Sequence, residues 1–385
     1  MGVLYISSMF EDEDLKNVFS NPKKVSYAAN KYNKLLSEGF ALNDIDVLVL
    51  AMLPVTSSNC NKKFIRGRIV NRNKLKINFL SVINLPFIKN IFRAIQVFFK
   101  VLTAPKGTTV IYDIFSYSAN IGMLPAALLR RFNKICILTD LPEFIGEGGS
   151  ERKVRFSVKL LRDKADGYIL LTEQMTDKVN TENKKYEIVE GIVPYNHEVN
   201  EQTDKKTDKK IVLYAGSLHR EYGIVELVDS FLKCHKLDEE LHLYGSGNYA
   251  TDIENIAREN SCVIFHGVFN NNTIMQREKE ATLLVNPRTS EGEFTKYSFP
   301  SKVIEYMSSG TPALMAVLPG IPDEYYKFVY TFDDKRKGGL AESLRFVLNK
   351  TEDELKNMGK EAQNFVFSEK NNLIQTKKVA DKFGL

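Results

Sequence analysis

The chain has 385 residues, of which 43% are hydrophobic, so it is long enough for two ordinary domains with sizeable cores. Its formal net charge is only +5, which is too weak an excess to indicate nucleic-acid binding but suits phosphorylated ligands or an anionic membrane surface. The cysteines show no metal-ligand spacing and are expected to be buried free thiols in a reducing cytoplasm. They are Cys60, Cys136, Cys234 and Cys262.

Neither an export signal nor a membrane span is predicted. The short apolar run at residues 2–9 is followed at once by acidic residues 11–14, which is not the pattern of a signal peptide. No stretch offers 18 uninterrupted apolar residues. We therefore expect a cytoplasmic protein, with peripheral contact with the inner face of the membrane left open.

The first half of the chain alternates apolar runs of strand length with helical patterns. Strands are predicted over residues 2–8, 45–53, 109–115, 134–139 and 167–172, and helices over 25–37, 85–103 and 121–131. Continuous apolar strands that alternate with helices are typical of a parallel sheet covered on both faces. The pattern predicts an α/β, Rossmann-like N-terminal domain over residues 1–197.

Asp44 and Asp46 form the D-x-D pattern that some transferases use to hold Mn²⁺ or Mg²⁺. The pair precedes its strand, whereas ligands of a parallel sheet gather beyond the carboxyl ends of the strands. We interpret these residues as a turn and predict no metal site.

The predicted helix over residues 85–103 combines many apolar residues with Lys89, Arg93 and Lys100. A core helix beside the sheet is the favoured interpretation. The alternative is an interfacial helix that binds anionic lipid, which would suit a lipid-linked substrate.

Asp140 and Glu143 follow the predicted strand 134–139. Because they come at a carboxyl strand end, they are placed to meet a substrate hydroxyl. A helix cap is the alternative for Asp140. The glycine-rich loop 146–149 has the composition of a flexible segment.

Residues 198–209 lack large apolar side chains and are predicted to be a linker. A second domain, residues 210–370, opens with a strand that leads into Gly216 and Ser217. Glycine directly after a buried strand lets a ligand approach the backbone closely. The later Gly245-Ser246-Gly247 turn is not followed by the further glycine of a dinucleotide fingerprint, so no nicotinamide or flavin cofactor is predicted.

Residues 281–322 predict a strand, a polar loop, a short helix and a further strand. Pro300 suits the first helical position and Gly310 the residue just past the helix end. Amides at such a helix start bind phosphate, and Arg288 and Lys302 bring cations to the same place. The backbone of Glu305 is roughly 5–8 Å from those amides, which matches the spacing between a diphosphate and ribose hydroxyls. The segment therefore predicts a nucleoside diphosphate site.

At these residues the chain resembles the retaining glycosyltransferases of family four. The second half of the family signature matches at Glu305, Ser309, Gly310, Thr311 and Pro312, whereas Tyr297 replaces the first glutamate, which holds the transferred sugar in the family. The sequence from Tyr297 to Lys302 is similar to that of capsular and exopolysaccharide members. The resemblance implies the GT-B fold, in which two Rossmann-like domains face each other across a cleft and the C-terminal helix, residues 371–385, packs on the first domain.

The resemblance also implies roles for individual residues. One family position for a diphosphate-binding cation is Tyr222 here, so Arg220 is the candidate for that role, with Arg288 and Lys302 as the other catalytic cations. The backbone at Gly267 and Val268 is implied to pair with the base. The remaining donor-binding candidates are Gly216, Ser217, Tyr297, Ser298, Phe299, Pro300, Ser301 and Glu305, and Asp140 is the acceptor-side catalytic candidate.

The function implied is metal-independent, retaining transfer of a sugar from a nucleotide donor, UDP by preference, to a hydroxyl of a glycan or lipid-linked oligosaccharide. Neither a cofactor nor a nucleic-acid partner is expected. Two alternatives stay open: a nucleotide-sugar epimerase or phosphorylase of the same fold, and a non-catalytic subunit that binds nucleotide sugars and has lost catalysis with the change to Tyr297.

Overall fold

The structure is a computed structural model that describes residues 2–141, 158–195 and 209–385. The chain divides into two compact units. Unit 1 comprises Met1–Tyr195 and Asn371–Leu385, and unit 2 comprises Asn196–Lys370. Glu143, the loop 146–149 and all of the predicted linker except Lys209 lie outside the described residues.

Unit 1 is built on an eight-stranded sheet whose order is β10-β9-β8-β7-β1-β2-β5-β4. All neighbouring strands are parallel except β4 and β5, which pair antiparallel. Its strands are β1 Gly2–Ser8, β2 Asp46–Met52, β3 Phe64–Ile65, β4 Arg68–Arg72, β5 Leu75–Phe79, β6 Val82–Ile83, β7 Thr109–Asp113, β8 Asn133–Leu138, β9 Gly167–Leu170 and β10 Lys185–Ile188, where β3 and β6 form a separate ribbon. Its helices are α1 Asp12–Asn17, α2 Tyr27–Leu42, α3 Ile88–Leu102, α4 Tyr117–Arg130, α5 over 158–163, α6 Thr176–Val179 and, at the C-terminus, Asn372–Phe383.

Unit 2 is built on a six-stranded, fully parallel sheet with the order β13-β12-β11-β14-β15-β16. Its strands are β11 Lys210–Ser217, β12 Glu239–Ser246, β13 Val263–Gly267, β14 Leu283–Asn286, β15 Ala313–Ala316 and β16 Tyr330–Phe332. Its helices are α7 Ile224–Cys234, α8 Ala250–Glu259, α9 Asn271–Glu280, α10 Ser301–Ser309, α11 Gly339–Leu348 and α12 Glu352–Glu369; the C-terminal helix of unit 1 is α13.

The central strands are buried on both faces, which explains their uniformly apolar sequences. Val49, Leu50 and Ala51 of β2 are fully buried, as are Leu283 and Leu284 of β14. Strands covered on both faces need apolar residues at every position rather than at alternate ones. The predicted strand and helix alternation is therefore confirmed in both units.

The D-x-D pair marks a turn into a strand, as predicted: Asp44 lies in the turn and Asp46 is the first residue of β2. Asp44 has a left-handed backbone with φ of 61°. The Nζ atom of Lys74 lies 3.3 Å from a carboxylate oxygen of Asp44 and 3.6 Å from one of Asp46, so both carboxylates face this lysine. Within the described ranges, no three or more His, Cys, Asp or Glu side chains cluster as a metal site would require.

Two expectations need correction. The cysteines are free, but only Cys60 and Cys136 are buried, because Cys234 ends a helix and Cys262 lies in a turn, where both stay partly exposed. The core-helix interpretation of α3 holds for one face only, since the opposite apolar face is exposed. Of the helices that the structure describes, none is both long and apolar enough to span a membrane.

Candidate functional site

The strand order of unit 2 defines where a ligand is expected. From β11 the chain moves outward through β12 and β13, and it then returns to place β14 on the other side of β11. The loops after β11 and β14 therefore leave the sheet in opposite directions. Parallel sheets bind ligands at such a switch point, beyond the carboxyl ends of the strands. The flanking segments here are 218–223, after β11, and 287–300, after β14.

A glycine brings these two loops into contact. Gly223 has φ of +79°, and a Cβ atom at this position would lie 2.0 Å from the carbonyl oxygen of Pro287. No other residue type fits that approach without a shift of the backbone. The two loops are thus closely packed at the switch point.

Helix α10 begins beside this point. Pro300 is the residue that precedes the helix, with φ of −68° and ψ of 118°, and not its first helical residue as predicted. Its extended ψ leaves it outside the helix although its carbonyl already accepts a hydrogen bond from the Val303 N–H at 2.9 Å. Gly310 ends the helix in the left-handed conformation, φ +81°, as predicted. No side-chain hydrogen bond caps the helix start, where Ser301 is exposed.

Lys302 and Glu305 are joined rather than separate. The Nζ atom of Lys302 lies 2.6 Å from Oε2 of Glu305 and 3.9 Å from Oε1 of the buried Glu278. Burial opposes the charge of the lysine, but the two carboxylates outweigh it, so the pKa of Lys302 is raised. Lys302 is thus an ion-paired cation in the first turn of the helix, with the Glu305 carboxylate beside it.

Arg220 occupies a short 3-10 turn, Arg220–Tyr222, in the loop after β11. Its guanidinium lies 4.4 Å from the centre of the Tyr249 ring and 2.7 Å from Oδ2 of Asp252, and its backbone N–H donates to Oδ1 of Asn248 at 2.9 Å. The side chain is half exposed. The three contacts orient an arginine that solvent still reaches.

Arg288 approaches the switch point from the loop after β14. Its guanidinium lies 4.9 Å from the centre of the Phe294 ring, and its backbone N–H donates to Oδ1 of Asn286 at 3.4 Å. Burial raises the pKa of Tyr214, on the neighbouring β11, and the positive charge of Arg288 partly opposes this shift. The charge of Arg288 therefore lies close enough to Tyr214 to affect its pKa.

Two donor-binding candidates, Gly216 and Phe299, are less accessible than the sequence suggests. Gly216 belongs to β11 itself, and a Cβ atom at this position would lie 2.7 Å from the Tyr214 hydroxyl, so a side chain of the protein occupies the space expected for a ligand. Ser217, the last residue of β11, is exposed. Phe299 is buried, with its ring 5.3 Å from that of Tyr325. It is a core residue, because burying a large aromatic ring removes much apolar surface from water.

Tyr297, which stands where the family has a glutamate, is also buried. Its hydroxyl lies 3.4 Å from Oε1 of Glu293, at the other end of the 3-10 turn Glu293–Tyr297. Ser298 is half-buried and connects this turn to the start of α10. The carboxylate nearest to the missing glutamate position in this turn is therefore Glu293, which the sequence analysis did not single out.

The carboxyl end of β13 carries the residues implied to meet the base. Gly267 has φ of +72° with open space where a Cβ would lie, and Val268 is 52% exposed. Beside them the His266 and Tyr244 rings stack at 4.2 Å, and a ring nitrogen of His266 lies 3.2 Å from one of His242. Burial, followed by the neighbouring His242 and Arg277, lowers the pKa of His266 to about 4. His266 is therefore neutral at pH 7.

In unit 1 the structure places Asp140 two residues after β8, where it is exposed. The neighbouring strand ends in a residue that the sequence analysis missed, Asp113, because it counted as part of a longer strand. Asp113 is buried; its Oδ1 accepts from the Phe115 N–H at 3.0 Å and its Oδ2 from Nδ2 of Asn33 at 3.3 Å. Burial, partly opposed by these bonds, raises its pKa to about 6.

Tyr249, Asp252 and Glu278 were also missed, although they hold the candidate cations. The signal for the first two was their position, just after the Gly245-Ser246-Gly247 turn and at the start of a helix, where chains leave the same sheet edge. Glu278 carries no comparable signal, since only the tertiary packing of α9 on α10 brings it to Lys302.

The sequence of unit 2 is similar to a known protein family. Residues 196–365 match the family described as glycosyl transferases group 1. No sequence among the curated proteins matches the chain.

Solved structures match both units. Sucrose-phosphate synthase from Thermosynechococcus elongatus aligns with a TM-score of 0.66 at 16% identity, covering 100% of this chain and 98% of that one. HepE from Anabaena, in complex with UDP, aligns at 0.63 and 12% identity over 100% of both chains. The catalytic domain of starch synthase IV from Arabidopsis thaliana, bound to ADP and acarbose, aligns at 0.67 and 12% identity, covering 100% of this chain and 99% of that one. At these low sequence identities, the structural similarity shows only that this chain shares the fold of those proteins.

The family match lies on unit 2, which holds the switch point, both arginines and α10, and the structural likeness extends over both units. Residues 196–365 therefore resemble the glycosyl transferases of group 1, and the chain has the GT-B fold of two Rossmann-like domains.

Proposed function

We propose that the enzyme is a retaining, metal-independent transferase that moves a sugar from a UDP-sugar to a hydroxyl of a glycan or lipid-linked oligosaccharide. One observation carries the proposal. Arg220 and Arg288 lie on the two loops that flank the switch point of the unit 2 sheet, and the second of these loops leads into the uncapped start of α10. Two arginines and a helix start together form a site for a diphosphate.

The donor would lie along unit 2 with each part against a different group. The amides at Ser301 and Lys302 and the two arginines would hold the diphosphate, and Glu305 would accept from the ribose hydroxyls. The Lys302–Glu305 ion pair, at 2.6 Å, is compatible with this arrangement, in which the lysine would lie near the diphosphate and the carboxylate near the ribose. The backbone at Gly267 and Val268 would contact the base. A UDP donor is favoured because HepE, which shares the fold, was solved with UDP.

The proposed reaction breaks the bond between the anomeric carbon and the diphosphate oxygen and forms a bond from the same carbon, on the same face, to the acceptor oxygen. The bonding electron pair leaves with the diphosphate, which then takes the acceptor proton. The leaving group carries more negative charge in the transition state than in the bound donor, and Arg220, Arg288 and Lys302 would stabilise this added charge. Losing one such donor costs on the order of 10²–10³ in turnover. The three cations would supply the opposite, positive charge, so the proposed mechanism uses no metal.

Asp140 is proposed to bind the acceptor from unit 1. It is exposed just beyond the carboxyl end of β8, where a hydroxyl can reach it. The pathway proposed is capsule, exopolysaccharide or another cell-surface glycan, in the cytoplasm at the inner face of the membrane. The exposed apolar face of α3 supports a position next to lipid.

The test is to incubate the purified chain with a panel of UDP-, GDP- and CMP-sugars and follow slow donor hydrolysis by NMR, which also reports the anomeric configuration of the released sugar. We expect hydrolysis of a UDP-sugar with retention. Conversion of the donor to an epimer without an acceptor would replace the proposal with an epimerase. Tight donor binding with no turnover on any acceptor pool would replace it with a non-catalytic subunit.

A further inference from the structure

Positive charge is concentrated in one part of unit 1. Residues 47–139 contain 14 lysines and arginines but only one acidic residue, Asp113. Asp113 is buried, so it does not contribute a carboxylate to the surface. Four of the cations, Arg68, Arg72, Lys74 and Lys134, form ion pairs with acids outside the segment, and Arg93 is buried. The basic character of this surface therefore depends on other cations, such as the exposed Lys62, Lys63 and Lys100.

Helix α3 lies within this segment and exposes a line of large apolar side chains. Ile88, Ile91, Ile95 and Phe99 follow one another at three- and four-residue spacing, and their exposed fractions are 47%, 60%, 49% and 57%. Phe87, directly before the helix, is 86% exposed. At 1.5 Å per residue the line from Ile88 to Phe99 is about 17 Å long. Isolated apolar residues are normal on surfaces, but a continuous line of this length indicates an interaction site.

The exposure is not a result of a loosely placed helix, because the opposite face is anchored. Val97 and Val101 are fully buried. Arg93, also buried, donates to the carbonyl of Leu53 at 2.5 Å, and Nζ of Lys89 donates to the carbonyl of Val55 at 2.8 Å. Rotating the helix to bury the line would expose these groups. The outward orientation of the line is therefore fixed by the fold.

Helix α4 broadens the apolar surface. It packs tightly on α3, since a Cβ atom on Gly122 would lie 2.0 Å from the carbonyl oxygen of Ala94. Arg130, near its C-terminus, donates to the carbonyls of Leu102 and Ala104 at 3.0 and 2.9 Å, so the two helices run parallel. The exposed apolar residues of α4 are Ile121, Leu128 and Leu129.

Lysines border this apolar surface. Nδ2 of Asn84 donates to the carbonyls of Cys60 and Lys62, and its backbone N–H donates to the carbonyl of Lys63 at 2.7 Å, which brings the two lysines to the start of α3. Both lysines are exposed, as is Lys100 at the other end of the helix. Cations therefore lie at both ends of the apolar line.

We propose that this surface binds the chain to an anionic lipid bilayer. The α3 face, as we define it, consists of Phe87, Ile88, Ile91, Ile95, Phe99, Ile121, Leu128 and Leu129 with the bordering Lys62, Lys63 and Lys100. The apolar line would enter the boundary between headgroups and acyl chains, to a depth of roughly 5–10 Å, with α3 in the plane of the membrane. The lysines would contact anionic headgroups, each contributing about 1 kcal/mol.

The positive charge bordering the α3 face favours an anionic bilayer over a second copy of this chain as its binding partner. In a symmetric dimer the same surface meets itself, so the basic borders of both copies would face each other and repel. Anionic lipid instead supplies the opposite charge across the whole surface. The binding does not depend on catalysis, so it is separable from the proposed transfer reaction.

The test is sedimentation of the full chain with vesicles of phosphatidylcholine alone and with added phosphatidylglycerol, at physiological ionic strength and without sugar donor. We expect binding to the anionic vesicles and at least tenfold weaker binding to neutral ones. Ile91→Gln/Phe99→Gln should lower anionic binding by at least tenfold. The control Leu237→Gln/Phe346→Gln changes two comparably exposed apolar residues of unit 2 and should bind like the native chain.

A second pair of variants tests the charge. Lys63→Gln/Lys100→Gln should weaken anionic binding about 30-fold, from about 1 kcal/mol per lysine. Lys356→Gln/Lys360→Gln, exposed on α12, is the matched control and should have no effect. The proposal is overturned if native chain stays in the supernatant, if both apolar variants lose binding equally, or if the native chain is a dimer in solution that Ile91→Gln/Phe99→Gln converts to a monomer. Because no donor is present, each result is independent of transfer activity.

Discussion

The carboxyl edges of the two sheets can be compared directly, because both sheets have a switch point. In unit 1 the first strand, β1, lies between β2 and β7, and in unit 2 the first strand, β11, lies between β12 and β14. The chemistry beyond these strands differs. Unit 2 presents Arg220 and Arg288, whereas unit 1 exposes Asp140 after β8 and buries Asp113 at the end of β7.

The comparison shows how one sheet topology serves two kinds of ligand. Topology fixes where loops gather, and the residues on those loops decide which charge is stabilised there. Arginines held by Tyr249, Asp252 and Phe294 suit a diphosphate. Carboxylates suit the hydroxyl groups of a sugar acceptor. The following predictions test this division, from the largest expected effect to the smallest.

Removing a unit 2 arginine should have the largest effect. We expect Arg220→Ala and Arg288→Ala each to lower turnover on the order of 10²–10³-fold while donor affinity falls less, because the leaving diphosphate carries more negative charge in the transition state than in the bound donor. Steady-state kinetics with a UDP-sugar, together with UDP titration, measure both quantities. Arg258→Ala, on an exposed part of α8, is the control. If either variant retains full turnover, that arginine has been assigned to the wrong role.

Asp113 in unit 1 should make the free energy of unfolding depend on pH. Its folded-state pKa is raised to about 6 from an ordinary value of 3.8, so the folded protein holds a proton that the unfolded chain releases. Stability therefore falls as pH rises through this window. Asp113→Asn does not titrate, so its stability relative to the native chain should improve by up to about 3 kcal/mol between pH 4 and pH 7.

Urea unfolding at both pH values measures this difference. The exposed Asp12→Asn serves as the control for loss of charge alone. Parallel pH profiles for Asp113→Asn and the native chain would mean that Asp113 is ionised in the folded state at no cost.

Glu305→Ala should weaken UDP binding by about 10- to 100-fold, since hydrogen bonds to a charged group contribute about 1.5–3 kcal/mol. The variant also releases Lys302 from its ion pair, so Glu305→Gln is needed to separate charge from hydrogen bonding. Isothermal titration calorimetry gives the affinities, with Glu254→Ala on α8 as control. Unchanged affinity in both variants would move the ribose site away from α10.

The smallest effect is expected from a chelator. Because Arg220, Arg288 and Lys302 are proposed to neutralise the diphosphate, EDTA should leave transfer activity unchanged. Strict dependence on Mn²⁺ or Mg²⁺ would contradict the metal-free mechanism and reduce the role assigned to the unit 2 cations.

Much of the fold could be predicted from the sequence, because strands buried on both faces are apolar throughout and glycine marks the end of α10. The helix α3 shows the limit. Its apolar residues cover more than half of its circumference and leave a polar strip of Lys89, Arg93, Gln96 and Lys100. Periodicity therefore did not reveal that Val97 and Val101 would be buried while Ile91 and Ile95 stay exposed. Which face a sheet and a neighbouring helix cover depends on packing between segments distant in the sequence.

The candidate site was predicted only in part for the same reason. The position of α10 followed from its local signals, Pro300 and Gly310. The partners of the cations did not, since Asp252 comes from a different loop than Arg220 and Glu278 from a different helix than Lys302. The burial of Phe299 against Tyr325 likewise depends on a tertiary contact that local sequence does not encode.

A crystal structure of the chain soaked with UDP tests the central claim most directly. We predict density for the diphosphate between segments 218–223 and 287–300 of unit 2, with Arg220 and Arg288 within hydrogen-bond distance of its oxygens and Glu305 on the ribose. UDP bound at the carboxyl edge of the unit 1 sheet, or away from both loops in unit 2, would contradict the account.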